Sequence, residues 1–327
     1  MHGFTDLSAA RRTGHRAVVL LAAGSLLTLA ACSEDAEDYP TGSLEMMIPW
    51  TAGGGSDLSS RLFASHLEDH LGVSITPANE PGANGSLGWG SLAQDSNDGY
   101  NIGLLTYDVL SNEVLDPQAP AIEDFDILGQ YEEQALFFYV RSDSEYESAE
   151  DLEGSSLMIG TSGMGGIDHQ APAELEGELG VEWQYTPFDG HADGLTNLLG
   201  GNIDAFVFTP NIAAEYVESG DLRILGTFAE ERVEEYPDVP TFAELGYEVA
   251  PIASFRGIAA PAGLDEDVRA TLVEAIAATA EDEEYLEAAE QAGNTPFYRS
   301  GEDFEAYMND LRPVIEGLLT DMGLAEN

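Results

Sequence analysis

Pro49-Trp50-Thr51-Ala52-Gly53-Gly54-Gly55-Ser56-Asp57 lies between an apolar run, Leu44-Glu45-Met46-Met47-Ile48, and a stretch from about Asp57 to Leu71. In that second stretch Leu58, Leu62, Phe63 and Leu67 recur near helical spacing. Strand, glycine turn, helix is the opening of an α/β unit. Three consecutive glycines let the backbone turn its N–H groups toward one point, and the helix behind adds the positive end of its dipole. The segment therefore reads as an anion cradle formed by Trp50, Thr51, Gly53, Gly54, Gly55, Ser56 and Asp57. Capping is the competing reading for Ser56 and Asp57, because a short oxygen-bearing side chain there satisfies a free N–H.

The alternation continues downstream. Asn101–Thr106, Leu136–Val140, Leu157–Gly160, Ile203–Phe208 and Leu222–Thr227 are short apolar runs suited to buried strands. Ile167–Leu179, Gly190–Leu199 and Asn211–Ser219 are helical candidates between them. This pattern predicts an α/β fold of mainly parallel sheets with helices on both faces. From about Asp265 to Leu324 the pattern is almost wholly helical. A second glycine-rich turn, Gly160-Thr161-Ser162-Gly163-Met164-Gly165-Gly166-Ile167-Asp168-His169, again follows a strand and opens a helix. Two such loops, far apart in sequence, predict two domains that face one cleft.

The N-terminus carries a different message. Arg11, Arg12 and Arg16 precede an uncharged stretch, Ala17–Ala30, that ends in small residues, which is the order of a secretion signal. The stretch is short of the roughly 20 apolar residues of a membrane span. Its end, Leu29-Ala30-Ala31-Cys32, resembles the lipobox of bacterial lipoproteins. That resemblance implies cleavage of residues 1–31, lipidation of Cys32, and a location on the outer face of the cell membrane; the export route stays open. Residues 32–42 then read as an acidic tether, of which Ser33–Gly42 spans at most about 35 Å when extended.

Composition narrows the function classes. The chain has 61 acidic and 11 basic residues, all of the latter arginine, and a formal net charge of −50. Such a field repels nucleic acid and anionic membranes. At ~1 M salt the Debye length falls to about 3 Å and the self-repulsion is screened, so a halophilic, high-salt setting is expected. The matching expectation is a melting temperature that rises with NaCl. Cys32 is the single cysteine, so with its thiol lipidated the mature chain has none for disulfides, iron–sulfur clusters or thiol catalysis.

With both loops in view, the sequence resembles the extracytoplasmic solute receptors of tripartite tricarboxylate transporters, also called Bug proteins. The resemblance rests on Pro49–Asp57, on Asn79 with Pro81-Gly82-Ala83-Asn84-Gly85, and on Asp98-Gly99-Tyr100. It continues through Ser162–His169, Pro187-Phe188-Asp189-Gly190, Gly201–Asp204 and Pro237–Glu244. It runs from about residue 44 to the C-terminus. Glu80 stands where the family usually has arginine, and the lysines common on the family's surfaces are absent.

The resemblance implies a two-domain, periplasmic-binding-protein-like (type II) fold hinged about a cleft. The first domain would be 43–139 plus 253–327 and the second 140–252, with crossovers at Leu136–Arg141 and Ala250–Gly257. It further implies a monomeric receptor, not an enzyme and without cofactor, that binds a small organic carboxylate, a di- or tricarboxylate, through backbone N–H groups and water. Its partners would be the large and small permease subunits, with lipid on Cys32 as the membrane contact. Thr161, Ser162, Gly163, Met164, Gly165, His169, Phe188 and Asp204 join the first loop as site residues on the same basis. A sensing receptor and a secreted hydrolase using the same cleft are the alternatives.

Other motifs are weaker. His66 and His70 flank Leu67-Glu68-Asp69, which matches neither H-E-x-x-H nor H-x-x-E-H, so a solvated helix face is expected and no metal site. No G-x-S-x-G elbow surrounds Ser86 or Ser162, and neither His169 nor His191 has an obvious nucleophile partner. Thr241 and Glu244 have capping-box spacing.

Overall fold

The computed structural model describes residues 39–325. The expected signal peptide, Cys32 and most of the tether lie outside the described residues. Strand β1 (Leu44–Ile48) leads through the first glycine loop into helix α1 (Gly55–Leu71), followed by β2 (Ile75–Asn79), α2 (Ser86–Leu92), β3 (Asn101–Thr106), α3 (Asp108–Leu115) and β4 (Phe125–Ala135). Then come β5 (Phe137–Arg141), β6 (Met158–Thr161), α4 (Ile167–Leu179), β7 (Gln184–Pro187), α5 (His191–Leu199), β8 (Ala205–Phe208), α6 (Ala214–Glu218) and β9 (Leu222–Thr227). The chain closes with β10 (Ala253–Pro261), α7 (Glu266–Ala280), α8 (Glu283–Gln291), β11 (Pro296–Ser300) and α9 (Gly301–Asp321).

Two sheets result, one ordered β11-β4-β10-β3-β1-β2 and the other β7-β6-β8-β5-β9. They are mixed, which corrects the expectation of mainly parallel sheets. β1 pairs in parallel with β2 and β3, and β6 with β7 and β8. β10 runs antiparallel to β3 and β4, β11 to β4, and β5 to β8 and β9. The cause is the path between sheets. The chain leaves the first sheet at β4 and enters the second at β5 after the single residue Leu136, then returns through 228–252 to β10, so each crossing lays a reversed strand into a sheet. Phe137–Tyr139, expected with the first domain, pair within the five-stranded sheet.

Local chemistry explains the elements that frame the cleft. α1 buries Phe63, Ala64, Leu67 and Leu71, at i, i+1, i+4 and i+8, against the six-stranded sheet. Phe63 stacks on Tyr131 of β4 at 4.1 Å between centroids. Burying such a ring stabilises by about 2–3 kcal/mol. The helix stops at Gly72, whose φ of 72° is left-handed and whose N–H closes the last turn on Glu68 O. The segment from 265 onward departs from the helical expectation at β11. There Arg299 donates to Gln130 Oε1 and Glu133 Oε2, both at 2.6 Å, and its guanidinium covers the Tyr307 ring. Thr241 and Glu244 do make the reciprocal capping bonds, 3.0 and 3.1 Å, but they close a turn with no helix behind it. No described helix is long and apolar enough to cross a membrane.

Candidate functional site

Four strands end at one place, and the helix that follows each begins there: α1 after β1, α3 after β3, α4 after β6 and α5 after β7. In open α/β sheets the crevice beyond the carboxyl ends of the strands is where ligands bind. A cavity lies there, lined by the helix-opening residues Gly55, Asp108, Ile167 and His191 together with Trp50, Thr51, Gly54, Ser56, Thr106, Ser162 and Ser254. Helix N-termini carry partial positive charge and free N–H groups, so their convergence favours an anion.

The two sheets meet closely around this cavity. Asn211 Nδ2 donates to Gly55 O at 3.3 Å and to Asn294 Oδ1 at 2.9 Å. Tyr107 Oη donates to Gln170 Oε1 at 2.9 Å, and Gln170 Nε2 to Ser111 Oγ at 2.8 Å. A β-carbon added at Gly55 would stand 2.6 Å from Asn211 Oδ1, and one at Gly163 2.7 Å from Asn84 Oδ1. A larger residue at either position would have to displace the asparagine that faces it. The enclosed space is about 20 Å³, room for a water-sized group.

The first loop keeps its donors open. Gly54 is the N-cap of α1 and supplies no side-chain cap. Trp50 Nε1 and Thr51 Oγ1 are buried without a hydrogen-bond partner among the described residues. Asp57 sits behind the loop with its carboxylate fully engaged. It accepts from Gly53 N–H at 2.8 Å, Arg61 Nε at 2.8 Å and Asn79 Nδ2 at 2.9 Å, so it fixes the loop and does not line the cavity. Beneath Ser56 lies Arg256, buried, whose Nε is 3.4 Å from Ser56 Oγ and whose Nη1 pairs with the buried Glu132 and with Gln134. Removal from water pulls the Arg256 guanidinium down to about 10.

The second loop spends its donors on its own chain. Asp168 Oδ2 accepts from Ser162 N–H at 2.7 Å and lies 3.1 Å from His191 Nε2, while Oδ1 meets the Thr161 hydroxyl at 2.7 Å. Gly163 N–H donates to Thr161 Oγ1, and Gly165 N–H to His169 Nδ1. Ile167 N–H, at the start of α4, donates to Asp108 Oδ1 at 3.0 Å, and the Thr106 hydroxyl donates to Asp108 Oδ2. Desolvation, with Asp168 adding to it, raises the Asp108 carboxyl to about 6.

Of the residues expected at the site from sequence, Trp50, Thr51, Gly54, Gly55, Ser56 and Ser162 line the cavity. Gly53 lies at an outer rim. Met164 and His169 face a separate groove beside α9, and burial lowers the His169 imidazole below its ordinary range. Thr161, Gly163 and Gly165 belong to the internal bonding of the loop. Phe188 packs with the core of the five-stranded sheet, and Asp204 caps Met158 N–H at the start of β6. Thr106, Asp108, His191 and Ser254 were not anticipated, and Ile167 was expected only within the second loop and not as a site residue. For Asp108 the available signal was an acid two residues past the end of a strand and opening a helix, a strand–turn–helix setting like that of Asp57. Ser162 makes no bond to His169, and no group of described side chains has the makings of a metal site.

The family model described as the tripartite tricarboxylate transporter family receptor matches residues 60–324. A UPF0065 protein of Cupriavidus necator is 27% identical, over 94% of this chain and 96% of its own. The periplasmic binding protein BugD superposes with a TM-score of 0.83 at 24% identity, covering 88% of this chain and 100% of BugD. An R. palustris protein solved with adipate gives 0.83 at 23% identity, covering 88% and 99%. The chain thus has the mixed two-sheet architecture of periplasmic binding proteins, and it belongs to the tripartite tricarboxylate transporter receptor family.

Proposed function

We propose that this protein is an exported, lipid-anchored receptor that closes on a small organic carboxylate and presents it to the large and small permease subunits of a tripartite tricarboxylate transporter. The observation that carries the reading is the open end of α1. Its first N–H groups have no side-chain cap, and the neighbouring Trp50 Nε1 and Thr51 Oγ1 are buried without partners on the same cavity. Buried donors without acceptors are costly, and a carboxylate would satisfy several at once. The adipate bound by the R. palustris protein of like fold supports the same class of ligand.

The working parts would be two domains, about 43–136 plus 253–327 and 137–252 once β5 is placed with its sheet, turning about the crossings near Leu136 and residues 228–252. Contacts such as Asn211 Nδ2 to Gly55 O leave room for only a water-sized group between the lobes, so the lobes would part to admit a ligand and settle around it less tightly than here, and binding would favour that liganded state by its differential affinity. Cys32 supplies the anchor, and the excess of 61 acidic over 11 basic residues suits a saline exterior. Native mass spectrometry of the purified chain, followed by calorimetry against mono-, di- and tricarboxylates, tests the ligand class. Binding of at least one of these acids is expected, and failure of all of them to bind would remove the reading.

A further inference from the structure

The two cradles that the sequence places on one cleft are not equally free. The end of α1 is open. The end of α4 already holds a carboxylate, that of Asp108, which reaches it from the other lobe and bonds Ile167 N–H at 3.0 Å. Asp108 is 4% exposed, lines the cavity with Ser56 and His191, and stands in the field of a second buried acid, Asp168. His191 Nε2 lies 3.1 Å from Asp168, so the imidazole is engaged by that acid. With the lobes parted enough to admit it, a ligand whose first carboxylate takes the α1 end, beside Trp50 Nε1, shares its cavity with the Asp108 acceptor.

We propose that Asp108 is the specificity-determining residue of this cleft, selecting an aminocarboxylic acid, with its carboxylate at the α1 end and its ammonium facing Asp108, over a dicarboxylate of the same length. The inference rests on the carboxylate-receptor reading and narrows it. A second ligand carboxylate would be driven against Asp108, and like charges placed together across an interface discriminate strongly between partners. An ammonium there gains a charge-assisted hydrogen bond to an oxygen already positioned by Ile167 and Thr106. At pH 8 Asp108, raised to about 6, is ionised.

The test is titration calorimetry at pH 8 on the full chain with length-matched pairs: β-alanine and succinate, 4-aminobutyrate and glutarate, 5-aminopentanoate and adipate. The neutral α-amino acids and butyrate complete the panel. Wild-type protein is expected to favour the amino member of a pair by about tenfold or more, and Asp108→Asn to move that ratio toward the dicarboxylate by a similar factor. Asp108→Glu, which keeps the charge, should retain the preference. It serves as the deciding variant if Asp108→Asn does not fold.

A wild-type protein that binds a dicarboxylate or butyrate as tightly as the amino acids overturns this inference and leaves the receptor reading intact. So does an unchanged ratio in folded Asp108→Asn, or a lost preference in folded Asp108→Glu. A chain that binds no acid of any kind overturns both.

Discussion

The loops at 49–57 and 160–169 are alike in sequence and differ in what they offer. Each follows a strand, opens a helix, and is held by an aspartate near the start of that helix, Asp57 in one and Asp168 in the other. In the first, the aspartate reaches back to an exposed glycine at the rim and leaves the helix end facing the cavity. In the second, the aspartate and its neighbours absorb the loop's donors, and Asp108 takes Ile167 N–H. Glycine content supplies the donors in both loops. Acceptor placement decides which donors remain for a ligand.

Removing each loop's aspartate gives the largest expected contrast. Asp168→Ala strips the partner from Ser162 N–H, Thr161 Oγ1 and His191 in a fully buried site, and should cost about 3 kcal/mol in urea denaturation. Asp57→Ala should cost only about 1–2 kcal/mol, because Gly53 N–H is exposed and water replaces its partner. Equal losses would mean that the two aspartates do the same work.

The second contrast is one of pH. Asp108 carries a pKa raised from 3.8 to about 6 by burial, so the native state holds a proton that the unfolded chain has lost across that window. Stability therefore falls as the pH rises from about 4 to 6, and the penalty persists above it, by up to about 3 kcal/mol. Asp108→Asn should be more stable than wild type at pH 8 by up to that amount, with the gap closing below pH 4. Parallel stability curves for the two proteins from pH 4 to 8 would contradict the assignment.

The smallest effect comes from one substitution made twice. Thr161→Val removes a hydroxyl bonded to Gly163 N–H and Asp168, and should cost about 1–2 kcal/mol. Thr51→Val removes a buried hydroxyl without a partner, so the ligand-free protein should change by less than about 0.5 kcal/mol while affinity for the bound acid falls several-fold. Thermal melts with and without ligand separate the two. A large loss of ligand-free stability in Thr51→Val would show that its hydroxyl is structural.

The sequence made the first β–α unit, β3, β9 and α4 readable to within a residue or two, because apolar runs bounded by glycine or polar turns are what buried strands and half-buried helices require. The long strands β4 and β10 were not readable. Gln130, Glu132 and Gln134 on β4 and Arg256 on β10 are buried, and their side chains satisfy one another or nearby backbone, so the strands that cross the middle of the molecule look polar. The same limit applies to the site. Trp50 to Ser56 are contiguous and announce themselves, whereas Thr106, Asp108, His191 and Ser254 come from four other elements or their ends and meet only when the sheets close on one another. His169 and Asp204 belong to the matching motifs, yet they serve the loop and the strand entry and lie off the cavity.

Leu136 is the whole of the outward crossing, and its carbonyl accepts from both Phe228 N–H at 3.0 Å and Thr227 Oγ1 at 2.8 Å on the returning chain. The outbound and inbound ribbons are thereby stapled where they pass between the sheets. Joined ribbons behave as a leaf spring, compliant across their faces and stiff within their plane. In the receptor proposed above, such a joint would narrow the movement of the two bodies toward one angle, and a partner reading the cleft from outside would then have a single variable to measure.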